Sequence, residues 1–211
     1  MDANRSILVL VPTELERSLL CSGSLWQDPR LDLVCCGFGP LSSAIGTMSL
    51  LAQRTPEEIL LVGLAGVYAR PDLLGQVMAP RRVAQEGIGI EEQGEWRDGC
   101  QLGLDRSIPT VLENLTVPGQ VASCDLLLTV CHPSANLDEA RQRYDRCRGG
   151  NSSGVILEDM EGYAVAAACA RFGKTLTILR AISNLAGCRA KSDWQIPRAI
   201  QSLRETLAQI P

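Results

Sequence analysis

Short apolar runs rich in β-branched residues recur along the chain, with stretches of helical periodicity between many of them. Ile7–Val11, Leu31–Cys36, Ile59–Val62, Asp125–Cys131 and Thr175–Ile182 are such runs. Runs this short and this continuously apolar fit strands covered on both faces. Leu41, Ala44, Ile45, Met48, Leu51 and Ala52 keep helical spacing behind Gly39-Pro40, where a proline in the first turn loses no hydrogen bond. Leu137–Arg146, Met160–Phe172 and Ile196–Ile210 also read as helices. Gln76–Ala84, Ile88–Glu91 and Val155–Leu157 read as shorter extended pieces, and Arg146–Gly154 as a mobile loop. The alternation predicts an α/β fold, a twisted, mostly parallel (mixed) central sheet flanked by helices. The length of 211 residues fits a single domain over 1–211.

Composition narrows the function classes. A net charge of −4 leaves no basic excess to attract a nucleic-acid backbone. No run of 18 apolar residues offers a membrane span, so a cytoplasmic protein is expected. The nine cysteines form no C-x-x-C, and His132 is the only histidine, so no metal site is expected. Free thiols in a reducing compartment are the simplest reading of the cysteines. The phosphate-binding G-x-x-x-x-G-K-[ST] is absent, and Gly37-Phe38-Gly39 lacks the third glycine of the dinucleotide fingerprint.

In open α/β sheets, ligands bind beyond the carboxyl ends of the strands. That rule directs attention to Thr13–Glu16, Gly63–Gly66, Cys131–Ser134 and Ser183-Asn184. Each has a plain alternative. Thr13 with Glu14 and Glu16 makes an ordinary helix start, or else places a general base in the crevice. Gly63–Gly66 is a tight turn, or a stretch of backbone N–H groups facing a ligand. Glu158, Asp159 and Glu161 favour a helix dipole, or else put a carboxylate at the buried start of an apolar helix, where it needs a partner. Ser183-Asn184 is a turn, or an amide that reads a polar edge with both a donor and an acceptor.

Taken together, ILVLVPTELE, GFGPLSSAIGT, LLVGLAGVY, EDMEGYAVAAACARFG and LRAISNLAG resemble the purine nucleoside phosphorylase and nucleosidase superfamily over nearly the whole chain. The tail ISNLAGCRAKSDWQIPRAI is most similar to its futalosine hydrolase branch, which releases hypoxanthine in an alternative route to menaquinone. The resemblance implies a nucleoside phosphorylase-like fold and a set of roles. Glu16 matches the acid that activates water, and Glu161 the carboxylate that holds the ribose hydroxyls. Met160 packs beneath the ribose, Gly66 presents backbone near the sugar, Ser183 lies beside the base, and Asn184 reads it. Leu64 stands where adenine-specific relatives carry a water-holding serine, which leaves the water to Glu16 and backbone groups. The aromatic that stacks on the purine is expected from Thr129–Pro133, which offers only Val130, Cys131 and His132. Trp96 and Trp194 are possible contacts to the ribose 5′ substituent.

An asparagine amide donates to N7 and to a 6-oxo group without moving a proton, so Asn184 favours a 6-oxopurine. Two acids after the first strand disfavour phosphate, which points to hydrolysis by water. The expected partners are therefore a small nucleoside and water, with no cofactor, no nucleic acid and no membrane. The resemblance also implies a homo-oligomer, a dimer or larger. Three alternatives stay open. One is a nucleosidase for methylthioadenosine, adenosylhomocysteine or aminodeoxyfutalosine. Another is a phosphorylase using a remote arginine such as Arg180. The third is a catalytically silent nucleoside-binding protein.

Overall fold

The computed structural model describes residues 6–21, 26, 28–92, 95–99, 101–103, 109–113, 115–147 and 154–210. In chain order the elements begin with β1 (Ile7–Val11), α1 (Glu14–Leu20), β2 (Leu31–Cys35), α2 (Gly39–Gln53) and β3 (Glu58–Val67). Then come β4 (Val77–Pro80), β5 (Val83–Gln85), β6 (Gly89–Glu92), β7 (Glu95–Asp98), β8 (Val111–Leu112), β9 (Leu115–Thr116), β10 (Ala122–Cys124) and β11 (Leu126–Thr129). The chain finishes with α3 (Leu137–Cys147), β12 (Ile156–Asp159), α4 (Gly162–Arg171), β13 (Leu176–Leu185) and α5 (Ile196–Leu207).

Eleven strands form one mixed sheet, with β6 and β7 as a separate antiparallel pair. Strands β1, β2, β3 and β13 run parallel, while β12 meets β3 and β4 meets β13 antiparallel. Alternate residues of β1 explain its unbroken apolar run. Leu8 and Leu10 face the layer that holds Leu51 of α2 and Val165 of α4. Ile7, Val9 and Val11 face the layer that holds Leu20 of α1 and Leu203 of α5. Both sides are buried, so neither admits a polar residue. No helix among the described residues is long and apolar enough to cross a membrane.

Three local expectations are corrected. Gly63–Gly66 is not a turn: β3 continues unbroken to Val67. Ser183-Asn184 does not follow the last strand: β13 runs to Leu185 through a register shift between Ile182 and Asn184. Helix α4 starts at Gly162 rather than Met160, because Glu158 and Asp159 belong to β12. The common cause is length. β3 outruns β1 and takes β12 as a new partner at Gly66 and Val67, and β13 follows β3 to Leu185. The strand ends that form the crevice are those of β1, β11 and β12, and they lie against the middle of two longer strands. Of the expected loop Arg146–Gly154, positions 148–153 lie outside the described residues.

Candidate active site

Where β1 ends, the edge of β3 changes partners. β1 pairs with β3 as far as Leu61, and β12 pairs from Gly66 onward. In the gap between them the Leu64 N–H donates to Glu16 Oε1 at 3.1 Å. Thr13 caps α1 by accepting from the Glu16 N–H at 3.2 Å, and its hydroxyl donates to Glu16 Oε2 at 2.7 Å. Helix capping and side-chain positioning are thus one device: the cap that starts α1 also aims its second acid into the crevice.

Arg180 lies beneath the crevice, in the middle of β13, fully buried behind the Asp159 and Glu161 that line it. Its Nε and Nη2 donate to Asp159 Oδ2 at 3.1 and 2.5 Å, and Nη2 lies 3.4 Å from Glu161 Oε2. Asp159 also accepts from the Thr129 hydroxyl at 2.7 Å and the Gly162 N–H at 2.8 Å. Nη1 of Arg180 is buried with no hydrogen-bond partner among the described residues. It points past Gly63 toward Glu16. A Cβ added to Gly63 would stand 2.4 Å from Nη1 and 2.8 Å from Glu16 Oε1. Only a residue without a side chain lets the guanidinium and the carboxylate approach each other there.

Glu161 is the residue before α4, and its side chain is buried. Its Oε1 accepts from the Gly39 N–H at 3.0 Å, so the N-terminus of α2 faces this carboxylate. Gly39 has φ +79°, a conformation open to glycine at little cost. Burial pushes the Glu161 carboxyl up to about 7, with the charges of Asp159 and Glu16 adding to the rise, against Arg180 and the Gly39 N–H. Burial alone would lower the Arg180 pKa, but Asp159, Glu161 and Glu16 together hold it above its ordinary value. One guanidinium thus faces three carboxylates, and the crevice floor carries an excess of negative charge.

The register shift in β13 takes Ser183 out of the ladder with β3, its hydroxyl 3.3 Å from the Ala65 carbonyl, and sets Asn184 against Gly66. A bulge of this kind re-aims a side chain. Ser183 Oγ lies 2.8 Å from Asn184 Oδ1, and Asn184 Nδ2 donates to the Leu185 carbonyl at 2.9 Å. One N–H and one lone pair of Oδ1 remain for the amide to offer.

The six residues singled out from the sequence (Glu16, Gly66, Met160, Glu161, Ser183 and Asn184) line one cleft. Thr13, Phe38, Asp159 and Trp194 line it too. Phe38 and Trp194 are the aromatic rings on its walls, and Thr129–Pro133 brings Val130 and Pro133 instead. Phe38 stands inside the GFGPLSSAIGT motif, but nothing in the local pattern marks its side chain as a wall of the cleft. Trp96 lies on β7 rather than in a loop, and its side chain is outside the described residues. Among the described residues no group of three or more His, Cys, Asp or Glu side chains is placed to hold a metal ion.

Comparison with known proteins agrees with this architecture. The chain is 28% identical over 198 residues to a futalosine hydrolase of Acidothermus cellulolyticus, covering 89% of this chain and 78% of the relative. It is 28% identical over 185 residues to that of Thermus thermophilus, covering 82% and 78%. The solved structure of a futalosine hydrolase mutant of Helicobacter pylori superposes with a TM-score of 0.74 over 97% of both chains, at 14% identity, and so shares the fold. The family model of the Phosphorylase superfamily matches residues 20–210, and the chain belongs to that family.

Proposed function

We propose that residues 1–211 act as one nucleosidase domain that hydrolyses the N-ribosyl bond of a 6-oxopurine nucleoside. Futalosine is the substrate in this reading, and hypoxanthine the base released, as a step of menaquinone synthesis in the cytoplasm. The observation that carries it is the approach of Glu16 and Glu161, far apart in sequence, to the two sides of one buried guanidinium. The futalosine hydrolases among the relatives point to the same chemistry.

In this reading water attacks C1′ of the ribose while the C1′–N bond breaks and its electron pair leaves with the base. Glu16 takes the proton of the attacking water, with the charge of Arg180 facing Glu16 from beneath the cleft. Glu161 accepts hydrogen bonds from the ribose hydroxyls. Those bonds strengthen as positive charge builds on the sugar, and the negative crevice floor favours that cation while repelling phosphate. The one free N–H of Asn184 is offered to N7 and the 6-oxo group of the departing purine, which takes its proton from solvent as Glu16 gives the water's proton back to solvent. Leu64 serves through its backbone N–H, which orients Glu16 whatever the side chain is.

A homo-oligomer belongs to the same proposal. Leu15 of α1, Phe38, and Leu41, Ile45 and Met48 along one face of α2 are exposed, and Phe38 also lines the cleft. A second copy of the chain on that apolar face would border the site.

The test is base release from futalosine, aminodeoxyfutalosine, inosine and methylthioadenosine, with and without phosphate. Hypoxanthine released from futalosine at a rate independent of phosphate is expected. Faster adenine release from methylthioadenosine would transfer the assignment to the adenine nucleosidases, and a requirement for phosphate would make the enzyme a phosphorylase. No base from any of the four would leave a silent binding protein.

A further inference from the structure

Glu158 and Asp159 are neighbours on β12, so their side chains leave the strand on opposite faces. Asp159 meets Arg180 beneath the crevice. Glu158 enters a second buried ionic cluster, which the proposed reaction does not use. Its Oε2 accepts from the Tyr68 hydroxyl at 2.6 Å, the Ser134 hydroxyl at 2.5 Å and Arg143 Nη1 at 3.2 Å, and its Oε1 from the Ser134 N–H at 3.0 Å. Glu158, Tyr68, Ser134 and Arg143 are all buried. Four donors hold the carboxylate, three on Oε2 and one on Oε1, and Glu158 also lines the cleft.

The cluster gathers one particular segment. Arg143 Nη1 also donates to the His132 carbonyl at 2.9 Å, and its Nη2 pairs with Glu139 at 2.8 Å. His132 and Ser134 belong to the connection between β11 and α3, whose Val130 and Pro133 form a wall of the cleft. On its far side that connection abuts the chain beyond Asn184, since a Cβ at Gly187 would stand 2.4 Å from the Asn136 carbonyl oxygen. Val130 still continues the β11–β12 pairing, its N–H donating to the Asp159 carbonyl at 2.9 Å, but from Cys131 to Asn136 the segment lacks regular structure and these side-chain bonds set its position.

We infer that Glu158 is a positioning residue: with Arg143, Tyr68 and Ser134 it sets the Val130–Ser134 wall of the cleft, and through that wall the affinity for the nucleoside. This rests on the nucleosidase reading for its kinetic consequence only. The effect belongs in KM, because the wall touches bound nucleoside equally before and during reaction, while Glu16, Glu161 and Arg180 stay in place.

The experiment compares Glu158→Gln and the milder Tyr68→Phe with Leu203→Ala, a cavity in the α5 layer away from the cleft. For Glu158→Gln, KM for futalosine should rise about tenfold with kcat held within about twofold. Tyr68→Phe removes one donor only and should raise KM about threefold. Leu203→Ala should lower the melting temperature and leave KM alone. Hydrogen exchange without ligand gives a readout that does not depend on the reaction. Amides of the 130–136 segment should exchange faster in Glu158→Gln and Tyr68→Phe, and unchanged in Leu203→Ala. If Glu158→Gln does not fold, Tyr68→Phe carries both measurements. A fall in kcat at constant KM would make Glu158 part of the chemistry and overturn the inference. Unaltered exchange of the segment would overturn it as well. Wild-type protein that releases no base refutes the nucleosidase reading alone, and the exchange comparison then decides the role of Glu158.

Discussion

Glu161 and Glu16 are both carboxylates of the crevice, but their surroundings assign them different work. Glu161 is buried and its carboxyl is pushed up to about 7, so it titrates in the range where the enzyme would operate. Since the ribose hydroxyls need an ionised acceptor, kcat/KM should climb with pH through an acid limb near 7. A pH–rate profile flat from 5 to 8 would contradict this. The same shift bears on stability. Folding raises this carboxyl from 4.5, so its contribution is full below about 4.5 and is lost as pH climbs through 7. Glu161→Gln should therefore abolish turnover while its melting temperature at pH 8 equals or exceeds that of the wild type. Glu16→Gln keeps the Leu64 contact but loses the base, and its kcat should fall by about 10²–10⁴ in a base-release assay. Asn184→Asp should lose turnover of the hypoxanthine nucleoside. Equal turnover would remove the amide from the account of base recognition.

Two elements carry the site, and each does so through a break in its own regularity. The edge of β3 lies open between β1 and β12, and Gly63 sits there between Arg180 and Glu16. Gly63→Ala should push the guanidinium and the carboxylate apart. Because a misplacement of about 1 Å at a reacting centre can cost about 10²-fold, kcat should fall far more than stability. Thermal melting beside initial rates separates the two effects. In β13 the register shift at Ser183 aims Asn184 at the cleft. Neither break is visible as periodicity. LLVGLAGVY and LRAISNLAG read as strands ending in turns, because glycine and Ser-Asn are turn residues wherever local propensity decides. Here pairing decides, since β12 takes up β3 at Gly66 and Val67, and β3 in turn pairs with β13 at Asn184 and Leu185, past the point where propensity would end them. EDME reads as the acidic first turn of a helix. In the structure, two of its acids belong to a strand and are paired with Arg180 and Arg143, partners distant in the chain.

The whole molecule presents an apolar stripe on α1 and α2 beside the cleft, and a second copy of the chain is the proposed cover. Ile45→Glu places a charge in the middle of that stripe and should turn an oligomer into a monomer, as read by size exclusion with light scattering. A wild-type protein that already runs as a monomer would refute the proposed assembly. The sequence by itself determined the α/β class, because strand runs buried on two faces admit only apolar residues, and six of the residues that line the cleft, through the motifs that resemble the family. What only the tertiary structure decided is how those residues act on one another. The guanidinium of Arg180 on Asp159, the Gly39 N–H on Glu161 and the Tyr68 hydroxyl on Glu158 each join segments remote in the chain. Burial and pairing are properties of the folded sheet, and no local pattern of residues encodes them.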